Sequence, residues 1–142
     1  MTIEQKIENI AATYFEGWPY IFDNLYRIDE RMESEEMPCI CCTLPQGGQI
    51  AMRNGRYFDT ENVLIGFFDI VPHDANGEDN AAVYNRMKSA GLRFIDKMNK
   101  SGHFLQVTAV NYEVWCVRLA NIVTGVFFQL RVDDLAQCVA AE

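Results

Sequence analysis

Asn62 to Val71, NVLIGFFDIV, decides the fold. It is apolar on both alternating faces and has the length of a strand rather than a helix. Such a strand must be covered on both sides, which places it at the centre of a sheet. The longest candidate for a membrane span, Val63 to Val71, is far short of the ~20 residues that cross a bilayer.

Working outward, Ile122 to Asp133 alternates cleanly. Ile122, Thr124, Val126, Phe128, Leu130 and Val132 share one face, and Gln129, Arg131 and Asp133 the other. Phe104 to Arg118 reads as a strand whose apolar phase changes near Ala109. Leu105 and Val107 are apolar before that point, and Val110, Tyr112, Val114 and Cys116 after it, which predicts a bulge or bend. The link to the last strand is too short for a parallel crossover, so the two form a hairpin.

Between these strands and the central one, the spacing predicts a long helix. It starts at Asp79 or Asn80, runs to about Lys100, and has the apolar stripe Val83, Met87, Ala90, Gly91, Phe94 and Met98. Lys97 and Lys100 suit its C-terminus, and Gly102 suits the position beyond it. At the other end of the chain, Thr2 and Gln5 form a capping-box pattern before Ile3, Ile7, Ile10, Ala11 and Tyr14. That helix stops at Gly17-Trp18-Pro19.

The segment between is less regular. Tyr20 onward reads as a short edge strand leading into an exposed acidic stretch, Asp29 to Glu36. Pro38 opens a strand through Leu44, and Pro45-Gln46-Gly47-Gly48 is a turn. Gln49 to Arg53 returns as its partner, and Asn54-Gly55 is a second turn signal. The expectation is one α+β domain over residues 1–142, an antiparallel-rich sheet of about five strands packed by an N-terminal helix and one long central helix. Leu135 to Glu142 is read as a short tail, a single helical turn or a flexible end.

Formal charge is −8, and residues 1–38 hold nine acids against three bases, Lys6, Arg27 and Arg31. No basic patch is available to neutralise phosphates, which disfavours direct sequence-specific nucleic-acid binding. The opening MTIEQKIENI has acids where a secretory signal carries bases, which points to a cytoplasmic protein with no membrane partner.

Little in the chain points to chemistry. Of five cysteines, three lie in Cys39-Ile40-Cys41-Cys42, with Cys116 and Cys138 apart. The paired spacing of a zinc site is missing, so all five are expected to be reduced and metal-free. His73, with Asp69, Asp74, Glu78 and Asp79 near it in sequence, lacks the ligand ladder of a calcium loop. No GxSxG elbow, Walker sequence or GxGxxG occurs. Local sequence does not favour a Cys41–His103 pair. The reading is a protein with no catalytic residues and no cofactor.

Aromatic residues carry more information. Phe67-Phe68 and Phe127-Phe128 are adjacent pairs, and adjacent residues on a strand point to opposite faces. The second ring of each pair is covered either within the chain or by another subunit. Trp18, Tyr20, Phe22 and Tyr26 cluster with weak periodicity, which marks them as candidate interface residues of a homo-oligomer.

Three stretches, GWPYIFDNLYRID, PCICCTLPQGG followed by VLIGFFDIV, and LANIVTGVFFQLRVDD, resemble small proteins encoded in the tail-gene regions of phages and prophages of Bacteroides-type bacteria. The order of elements is similar to that of tail-terminator and tail-completion proteins of long-tailed phages. The resemblance implies a non-enzymatic structural protein that forms a ring on the tail tube, with itself and other tail or neck proteins as partners. It also implies a place in the host cytoplasm and then in the virion. An acidic lumen would let DNA slide without sticking. The alternative class is a cytosolic small-molecule or protein-binding module.

Overall fold

The computed structural model describes residues 2–72, 74–104, 106–118 and 122–140. The elements in chain order are α1 (Ile3–Tyr14), β1 (Tyr20–Asp23), α2 (Leu25–Met32), β2 (Cys39–Thr43), β3 (Gly48–Arg53), β4 (Arg56–Val71), α3 (Gly77–Lys100), β5 (Asn111–Arg118) and β6 (Ile122–Ala140). They form an α+β fold with one mixed six-stranded sheet, ordered β1-β2-β4-β6-β5, with β3 pairing the first half of β4. The expected central strand, N-terminal helix and long helix are all present. Among the described residues no helix is long and apolar enough to cross a membrane.

β4 and β6 are the spine of the sheet, antiparallel from Val63↔Leu130 to Val71↔Ile122. β2 and β3 share the opposite edge of β4, and β5 closes the far side of β6 as a hairpin. The Asn54-Gly55 turn joins β3 to β4 rather than to β2. Asn54 and Gly55 take φ of 51° and 74°, the geometry of a two-residue hairpin that glycine and asparagine tolerate best. Gln49–Arg53 therefore has β4 as its partner, a correction to the expected return against β2.

The largest departure from expectation is α2. Residues 25–32 were expected to run from an edge strand into an exposed acidic stretch. They instead form a helix that buries Ile28 and Met32 and exposes its charges. The apolar positions Leu25, Ile28 and Met32 do recur at helical spacing, but charged side chains outnumber them in this short segment. α2 is also why β1 and β2 can pair in parallel, Tyr20↔Ile40 to Asp23↔Thr43, since a parallel pair needs a crossover.

Smaller corrections have local causes. α3 is capped by Asn76, one turn before the expected start. Asn76 Oδ1 accepts from the Asp79 amide at 2.9 Å, and Asp79 Oδ2 accepts from the Asn76 amide at 3.1 Å. This is the same reciprocal device that Thr2 and Gln5 supply to α1. Residues 106–110 are not strand. The Asn99 side chain donates to the Val107 carbonyl at 3.0 Å and accepts from its amide at 2.8 Å, holding this segment to the end of α3 until β5 begins. Leu105 lies outside the described residues. Where a tail was expected from Leu135, β6 continues to Ala140, and Cys138–Ala140 pair with Phe58–Arg56. Residues 141–142 lie outside the described residues.

The two faces of the spine hold separate cores. On the α1 and α3 side, Phe67 meets Phe15, Phe94 and Phe128 at ring separations of 6.2, 5.6 and 6.0 Å. On the α2 side, Phe68 and Phe127 meet edge to face at 5.1 Å, with Trp115 against Phe127 at 4.6 Å. Both members of each phenylalanine pair are thus buried within the chain, and α2 supplies the cover that two helices could not. Glycines make room for the rings. A Cβ on Gly66 would come within 2.6 Å of Phe127, and one on Gly91 within 2.0 Å of Phe128.

Two substitutions test this packing. Phe128→Ala should cost about 3–5 kcal/mol, as expected of a buried phenylalanine in a close-packed core. Gly91→Ala should also destabilise, although alanine favours helix by about 1 kcal/mol, because the methyl displaces the Phe128 ring. Denaturant unfolding measures both, and a stabilised Gly91→Ala chain would contradict the packing.

Candidate functional site

The residues singled out as an interface separate in space. Trp18, Tyr20 and Phe22 are half-buried and pack against the α1 and α3 core. Trp18 stands edge-on to Phe15 at 5.4 Å, and the Tyr20 hydroxyl donates to Glu4 Oε1 at 3.0 Å. Burial, with the neighbouring Cys42 and Glu4, holds that hydroxyl far above its ordinary titration range. Tyr26 alone is open, 77% exposed on α2 and on the opposite side of the sheet. The four residues are not one patch.

The cysteine run divides as strand geometry requires. Cys39 and Cys41 are buried on the α2 face with sulfurs 3.9 Å apart, and Cys42 is buried on the other face. All three, like exposed Cys116, are free thiols. The contact with Cys39, followed by burial, pushes the Cys41 thiol well up. Burial pushes Cys42 up to about 12, and a hydrogen bond with Tyr20 pulls only partly against it. Thiols held protonated in this way are poor nucleophiles, and their role is to fill the core. Cys41 is not brought to His103, which is exposed beyond α3. His73 lies outside the described residues, and among the described residues no three His, Cys, Asp or Glu side chains gather as a metal site.

An open cleft of about 670 Å³ runs along α3, lined by Trp18, Pro38, Asp69, Arg86, Ser89 and Arg93 among others. Arg86 and Arg93 are seven residues apart, so they stand two turns apart on one side of α3 with Ala90 between them. Arg86 pairs with Asp69 at 3.4 Å. Arg93 lies 4.3 Å from the centre of the Phe15 ring and has no carboxylate partner among the described residues. α3 carries five bases against three acids in a chain of net charge −8. In sequence Arg86 and Arg93 lie outside the apolar stripe of α3, and their i, i+7 spacing is the local signal that they share a side.

A second open feature is the arm made by β3 with the start of β4. No residue of β3 that is described for burial is buried, and Ile50 and Met52 are 62% and 69% exposed on one face. Its outer edge has no partner strand among the described residues. A cleft uniting Trp18, Tyr26 and the cysteines, which a small-molecule binder would favour, does not form among the described residues. Tyr26 instead lines a separate 110 Å³ depression with Trp115 on the α2 face.

On the α2 face, the Asp23 carboxyl is held below the usual range, first by the Asn24 amide at 2.8 Å and then by Arg31 at 3.1 Å. This ties α2 to β1.

No protein-family model matches the chain, and no curated protein matches it.

Thiol chemistry checks the burial. In a Cys138→Ser chain, native titration with a thiol reagent should modify Cys116 alone, and the other three only on unfolding. The Cys42 thiol is raised from 9.0 to about 12, so the stability of its neutral form is complete below pH 9 and lost as pH rises toward 12. Fast native modification of Cys39, Cys41 or Cys42 at neutral pH would contradict the burial.

Proposed function

We propose that the chain is a non-enzymatic assembly subunit, a tail-terminator or head-tail joining protein that forms a ring on a phage tail tube. The observation that carries this reading is the exposed β3–β4 arm. An open strand edge with apolar Ile50 and Met52 on its surface is a liability in an isolated subunit and an asset in an assembled one. The adjacent phenylalanine pairs do not count toward assembly, because α2 covers the second face within the chain. The acid surplus supports the reading too, since a ring of such subunits repels DNA phosphates passing through it. The corresponding location is the host cytoplasm and then the virion. A second reading, a module that binds a small molecule or protein, is favoured by the cleft between Trp18 and Arg93.

Native mass measurement with negative-stain imaging tests the choice. Concentrated wild-type protein should form closed particles of one subunit number, and Ile50→Lys with Met52→Lys should remain folded but lose assembly or docking to tail tubes. A chain that stays monomeric at every concentration and ignores tail tubes would remove the ring reading.

A further inference from the structure

The chain carries two helical stripes of opposite charge, two arginines about 10 Å apart along α3 and two glutamates about 5 Å apart along α2. On α3, Arg86, Ala90 and Arg93 follow at i, i+4 and i+7 along the cleft. On α2, Tyr26, Glu30 and Glu33 follow at the same spacing, Glu33 being the helical C-cap residue. Each stripe therefore spans about 10 Å at 1.5 Å per residue. All of these side chains except half-buried Ala90 are exposed. The region from Asp23 to Glu36 holds six acids against two bases, whereas α3 holds five bases against three acids.

The stripes cannot meet within one molecule, because α2 packs on one face of the sheet and α3 on the other. They are available to meet between molecules. We infer that the Trp18–Arg86–Arg93 cleft is the seat for α2 of a second copy of this chain, with Glu30 and Glu33 set against Arg93 and Arg86 and Tyr26 laid toward Trp18. This inference rests on the ring reading and gives it a contact.

The groups are in suitable states for exchange. Glu30 is held in its own chain only by Arg27 at 3.7 Å, with both side chains largely in water, a pairing of little strength. Arg86 has only the 3.4 Å contact with Asp69, and Arg93 lies over Phe15 with its charge uncompensated by any described carboxylate. Contact with the ring holds the guanidinium at the cleft and leaves its N–H groups to donate to a carboxylate. Trp18, already held edge-on by Phe15, gives the exposed Tyr26 ring an aromatic surface. Because the two stripes lie on opposite faces of the subunit, the contact is head-to-tail and propagates from copy to copy. It closes into a ring when the rotation per copy divides the circle, and otherwise runs on as a filament.

Charge exchange tests it. Arg93→Glu and Glu30→Arg are made singly and together in the full chain, with circular dichroism to verify folding and sedimentation velocity at low salt to read association. Each single change should weaken association at least about tenfold, and the double change should recover most of that loss. Singles that assemble like the wild type, or a double change that recovers nothing, would overturn this contact. In the first case the ring reading survives with a different interface. A wild-type chain that never associates overturns both, and an open filament weakened by the single changes supports the contact while removing the ring.

Discussion

The pairing of β4 with β6 is the constraint on which the rest of the molecule depends. Two long antiparallel strands bring Phe67, Phe68, Phe127 and Phe128 together, and strand geometry sends one ring of each adjacent pair to each face. A sheet with large rings on both sides is stable only if both sides are dry. α1 and α3 serve one side. The β1–α2–β2 crossover serves the other, and its parallel pairing follows from the need to carry a helix across that face. Glycines at 66 and 91 then give the rings their space.

How much of this was legible depended on how strongly each segment repeats. Val63–Val71, Ile122–Val132 and the α3 stripe carry long unmixed periods, and all three were correctly read. α2 was missed because an eight-residue helix shows two turns, and charged residues fill most of them. That omission had a further effect. Without α2, the cover for the second ring of each phenylalanine pair stayed open between the chain itself and another subunit, and Trp18 through Tyr26 became a single patch. The structure instead puts Trp18, Tyr20 and Phe22 at the rim of one core and Tyr26 on the far side of the sheet. The Asn76 cap escaped notice because Asp79 looks like a cap when read alone and acts as its reciprocal partner. The cleft was not legible at all. It requires Trp18 and Asp69 to meet α3, and contacts between distant segments leave no local pattern.

On the assembly reading proposed above, two of the exposed surfaces come into question. The arm offers strand edge and apolar side chains. The two outer helices offer complementary charge on opposite sides of one subunit, an arrangement suited to head-to-tail repetition. These differ in their response to salt, since exposed ion pairs are screened within about 10 Å at moderate ionic strength while apolar contacts are not.

Hydrogen exchange of the native chain, read amide by amide, tests the central claim that α2 seals the second face of the sheet. The account predicts that the amides of Val63–Val71 and Val123–Val132 exchange slowest and only through global unfolding, with those of α2 protected to a comparable degree and those of β3 exchanging far sooner. If α2 exchanges within the dead time and the strand amides at Phe68 and Phe127 follow it while α3 stays protected, the second core is open in the free chain and the account fails.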